Sequence, residues 1–276
     1  MERLLAGLQN QVSENCFSFS IVVVDNDYNK SAKEIVAVFK KRSLIDIDYY
    51  TEPVQNIALA RNRAVENAKG NFIGFIDDDE FPIEKWLLNL YKALKHYGSD
   101  GVLGPVLPFF EKEPPRWVLQ GRFFERATHP TGHVLGWRDS RTGNVLLRRE
   151  LFKDGHEWFD ASFGSGGEDR DFFKRMIVKG FRFLWCAEAP VYETVTAERC
   201  KRSFMLRRAL LRGQLPHFTG VDYAKSLVAV PLYTASLPFL LAAGHHLFMK
   251  YLIKNFDHIG RLLTFIGINV IKEKYI

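Results

Sequence analysis

A chain of 276 residues, 47% hydrophobic and 25% charged, has the size and composition of one sizeable α/β domain with additions, or of two small domains, and argues against disorder as the default state. Its formal net charge of +6 points to an anionic partner: nucleic acid, an anionic membrane surface or a phosphorylated substrate. The three cysteines, Cys16, Cys186 and Cys200, are odd in number and lack metal-ligand spacing, which argues against a disulfide framework and for a reducing compartment.

In chain order, MERLLAGLQNQ is an ordinary amphipathic stretch, and no secretory leader is expected from it. Residues 17–25, FSFSIVVVD, read as a buried strand ending in Asp25. Residues 31–41 have helical spacing and 45–50 alternate like a strand. Residues 56–68 predict a helix closed by Gly70. Residues 71–76 form a short apolar strand that runs into Asp77, Asp78, Asp79 and Glu80. A helix is expected over 84–97 and a strand over 102–106. Strands alternating with helices predict βαβ units and a mostly parallel sheet, with a binding crevice beyond the strand ends that carry Asp25 and Asp77.

From residue 111 to 144, prolines and glycines break the pattern, and the segment reads as an excursion over the site. Order returns with NVLLRRELF (144–152), then with GSGGEDRDFFKRM (164–176) as a loop entering a helix, and with a strand over 181–186. Residues 226–249 contain no Asp, Glu, Lys or Arg, about the length that spans a bilayer. Pro231, Pro238 and the pair His245–His246 interrupt this segment. Residues 250–276 carry Leu252, Phe256, Ile259, Leu263 and Ile266 at helical spacing.

Two acidic clusters carry the chemistry. In an extended strand end Asp77 and Asp79 face the same way. Carboxylates held that close repel each other unless a proton or cation intervenes, and Mg²⁺ or Mn²⁺ suits carboxylates plus phosphate oxygens. The plainer reading is a solvated acidic turn before a helix. In Gly166-Gly167-Glu168-Asp169 the acids sit at a helix N-terminus, either as reactive groups or as residues that offset the helix dipole. His129 and His133 lie in the excursion and read as plain loop residues or as neighbours of the metal. Trp117 and Trp137 read as core or as rings that cover the site.

Together VVVDND, NIALARNRAVENAKGNFIGFIDDDEFP and GGEDRDFF resemble the inverting family 2 glycosyltransferases of GT-A fold, over roughly residues 1–215. The resemblance implies a nucleotide-diphosphate sugar donor, with UDP as the nucleotide, and a glycan or lipid-linked acceptor. It implies that Asp25 contacts the base, Arg61 lies near the nucleotide, and Asp77 with Asp78 approaches the ribose. By the same resemblance Asp79 holds the Mg²⁺ or Mn²⁺ that binds the diphosphate. Asp169 takes the acceptor proton with Glu168 beside it, and Trp137 is a candidate for substrate stacking. Members of this family usually begin with a strand carrying a Pro-Thr-Tyr-like turn. This chain opens within the following helix, so the expectation is either an upstream start or an absent first strand that would weaken the nucleotide pocket. An inactive homologue that binds nucleotide-sugars or serves as a scaffold is the alternative.

The expected organisation is thus a GT-A domain over 1–215, N-terminally short, and a membrane-associating tail over 216–276. Arg199, Lys201, Arg202, Arg207, Arg208 and Arg212 precede that tail. A cationic amphipathic segment beside an apolar one predicts docking on the cytoplasmic face of the cell membrane. These cations are candidates for the phosphates of a lipid-linked acceptor or for anionic headgroups, the plainer reading being a solvated helix face. Nucleic acid is not expected as a partner, because no recognition motif accompanies the charge.

Overall fold

The run IVVVD forms β1 (Ile21–Asp25), in which Ile21, Val23 and Asp25 are buried and Val22 and Val24 half-covered, the period-2 burial of a strand. β1 pairs in parallel with β2 (Ile47–Thr51) through α2 (Lys33–Arg42), whose last turn carries Lys40, Lys41 and Arg42 where the helix dipole favours cations. α3 (Ile57–Asn67) starts at Asn56, whose side-chain oxygen accepts from the N–H groups of Ala58 and Leu59. It ends in an extended Ala68 (φ −71°, ψ 137°), so Gly70 does not close it.

The computed structural model describes residues 1–153, 155, 157–164, 166–214 and 218–268, and these divide into two units. Unit 1 comprises Met1–Pro108 and Arg126–Thr194, and unit 2 comprises Phe109–Glu125 and Val195–Ile276. The expected tail over 216–276 therefore belongs to a larger unit that takes in Phe109–Glu125 and the chain from Val195 onward. The expected boundary at 215/216, Ser165 of the GSGGED segment and residues 269–276 of the tail lie outside the described residues.

In unit 1, β3 (Phe72–Ile76), β7 (Asn144–Arg148), β5 (Gly101–Leu103) and β8 (Phe183–Trp185) form one sheet in that order. β7 runs antiparallel to both β3 and β5, and only β5 and β8 are parallel. The sheet is mixed, not mostly parallel. β7 enters from the long excursion instead of from a helical crossover, and that lets it run the other way. Among the described residues no ladder joins the β1–β2 pair to this sheet. The strand expected over 102–106 is split at Gly104 and Pro105 into β5 and β6 (Val106–Phe110). A third sheet has the order β4 (Glu80–Pro82), β9 (Val191–Val195), β6; neither β4 nor β9 was expected.

Two apolar clusters fill unit 1. One gathers Leu4, Leu5 and Leu8 of α1 (Glu2–Gln9), Trp86, Leu90 and Leu94 of α4 (Trp86–Tyr97), and Ile21 and Ile47 of the parallel pair. The other is built around stacked phenylalanines. Phe172 of α6 (Glu168–Val178) stacks on Phe159 at 4.8 Å and on Phe152 at 5.5 Å, and Phe173 meets Phe183 edge-to-face at 4.9 Å.

Unit 2 is helical. α5 (Arg116–Gly121) and α7 (Arg202–Gly213) both pack on α9 (His245–Phe265). α8 (Gly220–Ala243) runs unbroken through Pro231 and Pro238, contrary to the expected interruption, and stops at Gly244 (φ 154°). α7 and α9 cross on glycines. A Cβ on Gly260 would lie 2.4 Å from the Leu210 carbonyl oxygen, and one on Gly213 2.4 Å from that of Asp257. Gly260→Ala is expected to force the helices apart at a cost of about 1–3 kcal/mol, read as a lower denaturant midpoint with an unchanged slope.

Candidate active site

Helix α3 organises the site. At its N-terminus the Asn56 amide donates to the Ala161 carbonyl (2.9 Å), and its backbone N–H donates to the Asn26 side-chain oxygen (2.9 Å). One turn on, buried Asn62 exchanges two hydrogen bonds with the Phe159 backbone, at 2.8 and 2.9 Å. These bonds fasten the loop before GGED to α3. Gly164 lets that loop close in, since a Cβ there would sit 2.4 Å from the Asn56 amide nitrogen.

Between the two asparagines stands Arg61. One arm donates to Asp77 Oδ1 at 3.3 Å, and the other is paired with Glu168 Oε1. The Arg61 and Glu168 side chains are only 12% and 3% exposed, against 45% for Asp77. The structure therefore brings Asp77, Arg61 and Glu168 together, with Asp169 next along α6. Gly167 (φ 99°) turns the chain into that helix, and the Asp169 carboxylate accepts from the Arg170 N–H at 2.7 Å. Glu168, Asp169 and Asp171 all lie in the first turn, where the dipole stabilises negative charge.

The acidic run is a turn and not an extended strand end. The Glu80 N–H donates to the Asp77 carbonyl at 3.1 Å, and the Thr194 N–H to the Asp79 carbonyl at 2.8 Å. The alternation argument for Asp77 and Asp79 therefore does not hold, and the turn sets their placement. Asp78 and Asp79 are exposed, whereas Glu80 is buried and its Oε2 accepts from the Asp77 N–H at 3.3 Å. Glu80 faces Glu193 across the β4–β9 ladder, and Glu193 is held by Arg126 at 2.6 Å. Burial, then the Asp77 carboxylate, push the Glu80 carboxyl well above its ordinary range, while Arg126 opposes them. Gly143 leaves room for this turn, since a Cβ there would lie 2.9 Å from Glu80 Oε1 and 3.1 Å from Asp77 Oδ2.

No three His, Cys, Asp or Glu side chains converge into a cation cage among the described residues. What the turn presents is an exposed carboxylate edge. That donor set fits Mg²⁺ or Mn²⁺, which take one or two protein carboxylates and complete their shells with substrate phosphates and water.

Other expected residues are placed differently. Asp25 is 6% exposed and accepts from the Asp27 and Ala32 N–H groups, both at 3.0 Å, and from the Tyr49 hydroxyl at 2.8 Å. It shapes the loop after β1. Burial, and then this hydrogen bond, push Tyr49 up to about 12. Trp137 packs beside the phenylalanine cluster, with Arg138 (4.4 Å) and Lys174 (5.7 Å) over its ring. His129 and His133 stack on each other at 4.4 Å, with His129 against Trp185. Asn62, Gly143 and Arg126 were not singled out in the sequence, because their partners come from distant segments; Glu80 was named with the acidic run but given no role.

The model of "Glycosyl transferase family 2" matches residues 1–165, and the chain belongs to that family of inverting nucleotide-sugar transferases. It is 36% identical over 198 residues to the succinoglycan biosynthesis protein ExoM of Rhizobium meliloti, covering 70% of this chain and 62% of that protein's length. Its fold is similar to that of S. aureus TarS residues 1–349 in complex with UDP, at 17% identity and a TM-score of 0.53, covering 98% of this chain and 88% of that one. The same protein in complex with UDP-GlcNAc gives 15% identity and a TM-score of 0.52, covering 97% and 88%.

Arg61→Ala strands the buried Glu168 carboxylate and is expected to lower unfolding stability by about 3–5 kcal/mol in denaturant titrations, with Arg61→Lys between it and the parent because an ammonium lacks the two-armed fork. Glu80 gives a pH signature. Its raised pKa means that the folded protein holds the proton more tightly than the unfolded chain, so its contribution is fully present in acid and is lost as pH rises past the ordinary value toward the folded one. Thermal unfolding between about pH 5 and about pH 8 is expected to show a loss of stability with rising pH that Glu80→Gln diminishes.

Proposed function

We propose that this protein transfers a sugar from a UDP-sugar to a hydroxyl of a glycan or lipid-linked acceptor, with inversion and with a divalent cation. The carrying observation is the Arg61 bridge, which sets the acidic turn and the GGED helix start side by side. Likeness to ExoM, a succinoglycan biosynthesis protein, supports a polysaccharide product, and likeness to TarS, solved with UDP and with UDP-GlcNAc, supports the donor.

In this reading Asp77 and Asp78 border the ribose, and Asp25 shapes the loop beside the base. Asp79 would hold Mg²⁺ or Mn²⁺ against the diphosphate, and the cation supplies charge stabilisation as the leaving group departs. Inversion needs a base on the face opposite the leaving group, and Asp169 takes that role. Glu168 is locked to Arg61 and positions Asp169 instead of sharing its proton. Trp137 is a platform for a sugar ring.

Unit 2 docks this enzyme on the cytoplasmic face of the cell membrane. α8 is long and apolar enough to cross a bilayer (mean hydropathy 1.7), and only 6% of its apolar window is buried. Two of its hydroxyls bond to α9, with Ser226 Oγ 2.9 Å from His258 Nδ1 and the Asn255 amide donating to Thr234 Oγ1 at 3.0 Å. Leu232 and Phe239 face outward, 64% and 78% exposed. Polar contacts between helices and apolar side chains outside are the arrangement that suits hydrocarbon.

Thermal unfolding with UDP tests the donor site. A rise in melting temperature that requires Mn²⁺ and disappears in Asp79→Ala is expected. Asp169→Asn should keep that rise and lose about 10²- to 10⁴-fold in transfer rate from UDP-sugars. A full rise in Asp79→Ala would remove Asp79 from the cation site, and unchanged turnover in Asp169→Asn would remove the base.

A further inference from the structure

Unit 2 holds an open cleft of about 570 Å³ that none of these roles uses. Lys112, Pro114, Pro115 and Trp117 line one side, and Lys201 and Arg202, at the start of α7, line the other. Three cations thus meet one carboxylate, Glu113. Lys201 is paired with Glu198. Neither Lys112 nor Arg202 has an ion pair among the described residues, so the cleft keeps an unbalanced positive charge.

The position of the cleft narrows what it takes. Trp117 meets the His245 ring edge-to-face at 5.3 Å, and His245 opens α9 immediately after Gly244 ends α8. Loss of hydration, and then the positive charges of Arg202 and His246, hold His245 below its ordinary pKa. The cleft therefore opens at one end of the charge-free stretch 226–249. A tryptophan and cations at the end of an exposed apolar helix mark headgroup level in a bilayer. A free phosphate would use the cations and leave the adjoining apolar face without a role.

We propose that this cleft binds the phosphate of an anionic lipid, with Lys112 and Arg202 on its oxygens, Trp117 beside the headgroup and the hydrocarbon chain along α8. The inference rests on the reading that unit 2 docks on a membrane. It adds a defined headgroup site to what apolar partition alone would give.

The test is flotation of the full chain with vesicles of phosphatidylcholine alone and of phosphatidylcholine mixed with phosphatidylglycerol. The parent protein is expected to prefer the mixed vesicles by ~10-fold or more, and Lys112→Gln with Arg202→Gln to lose that preference while still binding phosphatidylcholine. Phe239→Asp is expected to weaken binding to both. Lys225→Gln with Lys254→Gln should keep the preference. If this second pair costs as much as the first, the attraction is diffuse and the site is overturned. If the parent binds both vesicles equally, the headgroup site fails and membrane docking stands; if it binds neither, docking fails as well. If inorganic pyrophosphate raises the melting temperature of the parent but not of Lys112→Gln with Arg202→Gln, and no vesicle preference exists, the ligand is a soluble phosphate and the lipid assignment is overturned.

Discussion

Two acidic segments approach each other in unit 1, and the Arg61 guanidinium lies between them, one arm on Asp77 and the other on Glu168. Without a cation there, the turn after β3 and the first turn of α6 would repel each other across a poorly solvated gap. The fork geometry of arginine answers both carboxylates at once, which a point charge does less well. Asn56 and Asn62 tie the same helix to Ala161 and Phe159, and the Ile57 N–H adds a bond to the Gly164 carbonyl. α3 therefore fixes the spacing between the two acidic segments.

Charge is handled oppositely in the acidic turn itself. Asp78 and Asp79 are left in solvent, while Glu80, next in sequence, is buried against Asp77 and opposite Glu193. A buried carboxyl among acids favours its proton, so it can brace the turn without adding a full negative charge to it. Gly143 keeps a side chain out of the place where these oxygens converge.

Much of unit 1 was legible because it obeys short-range rules. β-Branched alternation gave β1, Asn56 marked the start of α3, and glycines at 166 and 167 announced the turn into α6. The acidic groups stood out by type and spacing. What escaped was set by distant partners. β7 reads as a strand locally, but its direction depends on how an excursion of some thirty residues returns, and that made the sheet mixed. β4, three residues long, is too short to register alone, and β9 was not anticipated although its burial alternates. Three internal donors to the Asp25 carboxylate were likewise not visible in the sequence, since two of them come from Ala32 and Tyr49. The prolines of α8 looked like breaks, yet the helix runs through both.

Unit 2 is assembled from two stretches far apart in the chain. Val118 and Trp117 from the middle of the sequence share a core with Val195, Cys200, Met205 and Ile253. A single recombination event that carried the C-terminal stretch onto another scaffold would leave half of that core behind. The recipient would display Met205 and Ile253 without their neighbours, and the donor would keep Trp117 and Val118 with nothing to cover them. The C-terminal helices and the central segment must therefore be inherited together, and exchange of this unit between related proteins requires two coordinated replacements instead of one.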